Sequence, residues 1–464
     1  MERLSFEEVR TMLGGAELVT DRPGAVRSVT VDSRKVEAGA LFFALKGERS
    51  DGHDFAASAV SGGAAGVVVE REVELPKPVA VFKVPDTLRA LGTMARIYLL
   101  RAGPRVIAIT GSNGKTTTKE MLYHIMRQKF RTERSEKSFN TEIGVPLTIL
   151  KARRALEYLI LEMGTNARGE IARLVRIAPA DMGIITNISR THLEGLLDIH
   201  GVARAKGELL DAMGPEATAV LNHDDQWCAF LSKHTKAKVV WFGVEPECAA
   251  YATDVAFSAT GIRFALNGKH PVRLRAPGGH NVGNALAAAA AAMQLGLDGE
   301  YIARRLGSFK LPEMRMQRIV VRGVTLINDA YNANEASVVV AADYLNRLES
   351  RGKRFFVLGD MLELGAESGR AHRSIGGILG ATSIDYIVTA GNAVAETAHE
   401  ARRLRRGSHT VASYSTLSGA AKFLTANLAK GDVALFKASR GMSFETLLDE
   451  VRQGLETGKR PDHA

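Results

Sequence analysis

The 464-residue sequence predicts an α/β protein of three domains built on parallel sheets. Three observations carry that expectation. Short β-rich runs alternate with longer amphipathic stretches along most of the chain, the pattern of strands brought back in parallel through helical crossovers. Two interruptions divide this alternation. One is at residues 101–105, where Gly103 and Pro104 break a helical pattern before a fresh strand, and the other is near residues 312–316, after a helical pattern at 301–306. The length allows two to four cores at ~100–200 residues per domain. The pieces expected are 1–102, 103–315 and 316–464.

The β-rich runs lie at residues 67–69, 106–110, 158–161, 183–186, 239–242, 355–358 and 386–389, and the amphipathic stretches include 119–128 and 202–210. Apolar residues at 45% and charged residues at 24% give the balance of a folded protein rather than a disordered one. The longest near-apolar run, 285–293, is mostly alanine, and it falls far short of the ~20 residues a membrane span requires. No integral membrane segment is expected. The first ten residues mix acids with bases and hold no apolar stretch, so no signal peptide is expected. Cys228 and Cys248 cannot form a disulfide framework and fit no metal spacing, which suits a reducing, cytoplasmic location. The net charge of +10 favours anionic partners. Small phosphorylated substrates are one candidate, but the charge reads first as a solvated basic surface. Basic clusters interleaved with aromatics are absent from the sequence, as is any zinc spacing, so nucleic acid is not expected. The basic stretch 401–406 reads as an exposed helix face.

The strongest local signal begins at the strand pattern 106–110. It runs into Gly111-Ser112-Asn113-Gly114-Lys115-Thr116-Thr117, and then into a helix with Met121, Leu122, Ile125 and Met126 on one face. A strand, a glycine loop, a lysine, a hydroxyl and a helix N-terminus form a phosphate site for physical reasons. The glycines let backbone amides turn inward, the helix end adds positive potential, the lysine reaches the terminal phosphates and the hydroxyl can ligate magnesium. The loop is a shortened GxxGKT, since Ile109 stands where the longer pattern has glycine. Glu162 follows the strand pattern 158–161, a good position for an acid that holds magnesium beside a phosphate loop. The run 183–186 leads to Asn187 and on to His192, which taken alone reads more readily as a structural histidine. Lys206, in the helical stretch 202–210, reads by default as a solvated lysine.

Many short motifs in one order resemble the Mur ligase family. They include Asp32-Ser33-Arg34, Lys46-Gly47, Asp51-Gly52-His53-Asp54-Phe55 and the phosphate loop. Further along come Asn140-Thr141-Glu142-Ile143-Gly144-Val145-Pro146, Glu162-Met163-Gly164, His192-Leu193-Glu194-Gly195 and Ala205-Lys206-Gly207-Glu208. The set closes with Gly279-His280-Asn281, Asn328-Asp329-Ala330-Tyr331-Asn332-Ala333-Asn334, Leu358-Gly359-Asp360-Met361 and Lys437-Ala438-Ser439-Arg440. The fold this resemblance implies is a smaller N-terminal α/β domain, a central P-loop-type parallel-sheet ATPase domain and a C-terminal Rossmann-like α/β domain. Three places depart from the family pattern. Asn328 stands where an aspartate is usual, Ala438 where glycine is usual, and the segment after Gly195 differs.

The resemblance also implies roles. The N-terminal domain should hold the uridine end of the donor, with Ser33, Lys46 and Gly47 near it. Gly111, Asn113, Gly114, Lys115, Thr116 and Thr117 should bind the ATP phosphates. Asn281 should meet adenine, Asp329 and Tyr331 the ribose side, and Arg315 the terminal phosphate from the hinge. Thr116, Glu162, His192 and a carbamylated Lys206 should hold two Mg²⁺ ions, and Lys115, Arg315, His192 and Lys206 should serve catalysis. Asn140, Thr141, Asn332 and Arg440 are assigned to the peptide substrates. An ammonium about 5 Å from Mg²⁺ would be repelled by roughly 6–7 kcal/mol at an effective dielectric of about 20, whereas a carbamate inverts the sign. The implied reaction activates a carboxylate as an acyl phosphate at the expense of ATP. The donor is UDP-N-acetylmuramoyl-tripeptide, the acceptor D-alanyl-D-alanine, and the enzyme is expected to be a monomer whose third domain closes on the nucleotide. Three rivals are disfavoured. The sibling that adds the third amino acid usually carries Asp-Asn-Pro-Arg, which this sequence lacks. Folylpolyglutamate synthase lacks the N-terminal domain, and a nucleotide switch would not need the magnesium and lysine set.

Overall fold

In the computed structural model the described residues are 1–19, 23–47, 50–153, 155–258, 261–404 and 410–457. Each β-rich run read from the sequence forms a strand, and each strand pairs in parallel with at least one neighbour. Among the described residues no helix is long and apolar enough to cross a membrane. Arg402 and Arg403 end the helix Ala395–Arg403 on an exposed face, and Arg403 pairs with Glu400. Residues 405–406 of that basic stretch lie outside the described residues.

The N-terminal sheet orders its strands as Glu17–Val19, Ala80–Lys83, Gly66–Val69, Ala40–Phe43 and Ser28–Thr30, parallel except for the first. Alternation along a strand sends neighbouring residues to opposite faces. Leu41 and Phe43 therefore join Leu91, Met94 and Tyr98 of the helix Thr87–Ala102, while Phe42 packs with Ala56, Ala59 and Val60. The first of these cores continues without a break into the central sheet, and the Tyr98 hydroxyl crosses to the Ala152 carbonyl at 2.9 Å.

The central sheet runs Thr132–Arg134, Tyr158–Glu162, Arg105–Thr110, Met182–Ile185, Thr218–Asn222, Lys238–Gly243 and Ala250–Ser258, all parallel. Two strands, Gly261–Leu266 and His270–Leu274, extend it as antiparallel additions that the sequence reading does not contain. Ile107, Ile109, Ile160 and Ile184 face the helices Lys115–Met126 and His280–Gln294. Ala285 and Ala287 to Ala292 are fully buried there, so the alanine run is a helix face small enough to pack tightly between neighbours. The chain leaves Arg105–Thr110 toward one edge of the sheet, returns beside it as Tyr158–Glu162, then passes to its other side as Met182–Ile185. That reversal opens a crevice at the carboxyl ends of these strands, the place where open α/β sheets bind ligands.

The C-terminal sheet orders Gln317–Val321, Val324–Asn328, Val433–Lys437, Arg354–Gly359, Tyr386–Ala390 and Thr410–Tyr414, parallel apart from the first hairpin. The carboxyl ends of Val324–Asn328 and Val433–Lys437 carry Asp329 and Lys437 toward the central crevice.

Candidate active site

The phosphate loop is built on two glycines that no other residue could replace without movement. Gly111 has φ +145°, and a Cβ there would lie 2.0 Å from the Thr186 hydroxyl. Gly114 has φ +83°, and its Cβ would meet the Asn284 side chain at 2.1 Å. The loop is thereby pressed onto the end of Met182–Ile185 and the start of the alanine-rich helix. Asn113 is fixed from three sides. Its amide N–H donates to Asn187 Oδ1 at 3.0 Å, its Nδ2 to Ser189 at 3.1 Å, and its carbonyl accepts from Thr186 at 2.6 Å. The helix Lys115–Met126 begins with no side-chain cap, so its first amides are left for an anion. Lys115 Nζ curls back to donate to the Gly111 carbonyl at 2.8 Å. Burial lowers its proton affinity, Glu162 opposes that fall and Arg315 adds to it.

Thr116 and Glu162 form the second part of the site. The Thr116 hydroxyl donates to Glu162 Oε2 at 2.8 Å and accepts from Arg315 Nη2 at 2.9 Å. Asn140 Nδ2 donates to the other Glu162 oxygen at 3.0 Å. Lys119, one helical turn beyond Lys115 and fully buried, stands 3.5 Å from Glu162 Oε2 and donates to the Lys137 carbonyl. A buried carboxylate and a hydroxyl at a strand end are hard oxygen donors, the kind Mg²⁺ takes beside phosphate. Among the described residues no cluster of three His, Cys, Asp or Glu side chains stands ready by itself, so oxygens from elsewhere must complete any such site. Lys206 carries no oxygen of its own and does not line the cavity that holds Thr116 and Glu162. It is fully buried, its Nζ has no hydrogen-bond partner among the described residues, and its proton affinity is pushed well down, first by burial and then by Lys115. An orphaned buried amine is costly, and a neutral one is a nucleophile toward CO₂.

Removing Lys119 tests the electrostatics of this cluster. Lys119→Ala strands a buried carboxylate, so it is expected to destabilise the protein by about 3–5 kcal/mol in a denaturant titration. The double variant Lys119→Ala/Glu162→Gln should recover much of that loss. A Lys119→Ala protein as stable as the parent would show that Glu162 is not held by this pair.

The C-terminal domain supplies the opposite wall. Arg315 lies over the Tyr331 ring at 4.3 Å. Asp329 accepts from Lys437 Nζ at 2.6 Å and from the Met316 amide at 3.2 Å. Lys437 also donates to the Asn332 carbonyl at 3.1 Å. Asn334 Nδ2 reaches across to Asn113 Oδ1 at 2.8 Å, and His192 Nδ1 stands 2.6 Å from Glu363 Oε2. Asn281 is buried, with its Nδ2 on the Pro277 carbonyl at 2.7 Å and its Oδ1 accepting from Asn284 at 3.0 Å.

These walls enclose a cavity of about 1000 Å³. The structure brings to it Asn113 to Thr117, Asn140, Thr141, Glu162, His192, Asn281, Arg315, Asp329, Tyr331, Asn332 and Arg440. Arg440 is already paired there, with Glu445 at 2.7 Å. Gly111 and Lys206 do not line it, and Ser33, Lys46 and Gly47 are not part of it. The last three follow the parallel strands Ser28–Thr30 and Ala40–Phe43 at the carboxyl edge of the N-terminal sheet, where Lys46 and Gly47 are exposed. The N-terminal domain reaches the cavity through Leu88. The sequence reading gave no role to Lys119 or Glu363, and it took Asn334 and Lys437 only as members of motifs facing the cleft or favouring the dipeptide acceptor. Lys119 had a signal in its spacing, since residues four apart on a helix share a face.

Family models match the chain in three places: residues 25–98 by the Mur ligase family catalytic domain, 109–292 by the Mur ligase middle domain and 314–440 by the Mur ligase glutamate ligase domain. The chain belongs to the Mur ligase family. A UDP-N-acetylmuramoyl-tripeptide–D-alanyl-D-alanine ligase of Bacillus subtilis is 37% identical over 92% of this Mur ligase and 93% of its own length. The Escherichia coli ligase of the same description is 37% identical over 82% of this chain and 83% of its own. The crystal structure of MurF from Acinetobacter baumannii superposes with a TM-score of 0.88, at 30% identity, over 98% of this chain and 99% of its own. MurF from Thermotoga maritima, solved in complex with ADP, gives 0.81 at 29% identity over 94% and 99%. Ala438, where the resemblance leads one to expect glycine, is closely packed. The methyl of Ala438 is buried against Gly359 on the neighbouring strand, where a Cβ at 359 would lie 2.7 Å from it.

Proposed function

We propose that this Mur ligase uses ATP to join UDP-N-acetylmuramoyl-tripeptide to D-alanyl-D-alanine, a step of cell-wall precursor synthesis. The observation that supports ATP-driven carboxylate activation is one cavity shared by an uncapped phosphate loop, the Thr116–Glu162 pair and Arg315 from the hinge. The choice of donor and acceptor is supported by the Bacillus and Escherichia relatives, which match along most of their length.

In the proposed reaction the terminal carboxylate of the tripeptide attacks the γ-phosphorus of ATP. The bond to the bridging oxygen breaks, leaving ADP and an acyl phosphate. The dipeptide amine then attacks the acyl carbon, phosphate departs, and the nitrogen loses its proton. Every reactant in the first step is an anion, so positioned cations matter most. Lys115 and Arg315 approach the same place from the loop and the hinge. Thr116, Glu162, His192 and a carbamylated Lys206 would hold two Mg²⁺ ions, which when bound neutralise phosphate charge. Carbamylation itself joins the neutral Lys206 nitrogen to the carbon of CO₂ and releases one proton. Asp329 and Tyr331 offer a carboxylate and a phenol to the ribose side, and Asn281 lies at the adenine side. A uridine end would be held 
at the N-terminal sheet edge by Ser33, Lys46 and Gly47. A dipeptide carboxylate in the cavity would compete with Glu445 for the fork of Arg440.

ADP release with candidate pairs tests the assignment. The muramoyl tripeptide with D-alanyl-D-alanine is expected to drive turnover, and the product mass should equal the sum of both less one water. Free diamino acids with the muramoyl dipeptide should give none. Coupling of a diamino acid, with D-alanyl-D-alanine ignored, would overturn the proposal.

A further inference from the structure

We propose that Glu363 is a positioning residue for His192, so that a metal site in the central domain is completed only when the C-terminal domain is docked as it is here. The inference rests on the reading above, in which His192 is a metal ligand, and it adds a residue from another domain that controls it. His192 Nδ1 and Glu363 Oε2 are 2.6 Å apart. A carboxylate is acceptor-only, so Nδ1 carries a proton, and in the neutral ring Nε2 keeps the lone pair a metal needs. His192 lines the 1000 Å³ cavity that also receives Glu162 and Thr116. A carboxylate behind a ligating histidine fixes both tautomer and ring orientation.

The backbone gives a second, independent reason. His192 has φ +52° and Glu363 φ +63°, both left-handed and neither glycine. Residues held this way persist where surrounding contacts over-determine them. The surrounding contacts here run between the two domains. The Glu194 amide donates to the Glu363 carbonyl at 3.4 Å, and Arg190 pairs with Glu367 at 3.3 Å. Gly365, at φ +52°, lies against Glu194, where its own Cβ would come within 3.3 Å of the Glu194 Cα. The strained pair thus faces itself across a closely fitted seam. Metal binding and domain docking then share one histidine, and each favours the other by linkage.

The test uses the full-length protein, Mn²⁺ as the probe and a saturating non-hydrolysable ATP analogue. Two quantities are read: the Mn²⁺ dissociation constant, and the spin-echo modulation from a directly bonded imidazole nitrogen. The parent should show the modulation and His192→Asn should lose it. Glu363→Ala should weaken Mn²⁺ binding by about 10–100-fold and reduce the modulation. Glu363→Gln keeps an oxygen that can accept from Nδ1–H, so it should recover most of both. If His192→Asn keeps the modulation, the ligand reading itself fails and the proposal with it. If His192→Asn loses it while Glu363→Ala binds Mn²⁺ as the parent does, only the positioning role fails. If Glu363→Ala and Glu363→Gln are equally weak with the modulation intact, Glu363 is itself a ligand and the proposal is overturned.

Discussion

Lys115→Ala is expected to lower turnover by about 10²–10³-fold with the fold intact, the usual consequence of losing one preorganised group aimed at developing charge. The size follows from where the ammonium lies. It is held against the Gly111 carbonyl at the mouth of an uncapped helix, beside Glu162 and Arg315, and burial has already removed much of its water. A charge so placed needs no reorganisation when phosphate oxygens arrive. Arg315 cannot fully substitute, because its guanidinium is fixed between the Thr116 hydroxyl and the Tyr331 ring. The loss should fall mainly on kcat, since the negative charge to be stabilised grows toward the transition state. Steady-state ADP release under saturating substrates, with a melting curve as a control on folding, measures it. Near-normal turnover in a folded Lys115→Ala protein would remove the phosphate loop from the reaction.

How much of this was legible beforehand depended on how local each cause is. Parallel strands buried on both faces read as apolar runs, which is why 106–110, 183–186 and 355–358 were visible. The loop from Gly111 to Thr117 was visible because tight turns, amide cradles and helix starts each demand particular residues. The burial of Lys206 corrects the default reading of a solvated lysine, although its helix held a signal. Val202, Lys206, Leu209 and Leu210 share one face at helical spacing, so the lysine had to turn inward. The antiparallel pair Gly261–Leu266 and His270–Leu274 escaped notice, because its alternation of buried and exposed residues leaves no continuous apolar run. Beyond Arg315, expected at the phosphates from the resemblance, contacts between domains left no local signal. Nothing near Asn334 announces Asn113, and nothing near Glu363 announces His192, since each pair is joined only by folding.

Lys206→Met is expected to abolish measurable turnover and, in the same protein, to raise stability. The side chains have similar reach, and the site offers Nζ no partner. Replacing a buried, unsatisfied polar group by an apolar one should recover about 1–3 kcal/mol near neutral pH in a metal-free, CO₂-free preparation. The pH dependence has a definite sign. Burial lowers the folded-state proton affinity of Lys206 below that of the unfolded chain, so the unfolded state binds more protons between the two values. The penalty is therefore full at low pH and fades as pH rises toward the ordinary lysine value, and the stability gap between Lys206→Met and the parent should narrow over that window. The same shift favours the neutral amine, the form that CO₂ addition requires. Parent enzyme in CO₂-free buffer should consequently lose activity and regain it on adding bicarbonate, with no such response from Lys206→Met. Chemical melts across pH and ADP-release assays with and without bicarbonate read all three expectations. A fully active Lys206→Met protein would sink the carbamate assignment. A parent indifferent to bicarbonate and no less stable than the variant would mean that the amine carries no burial penalty to relieve.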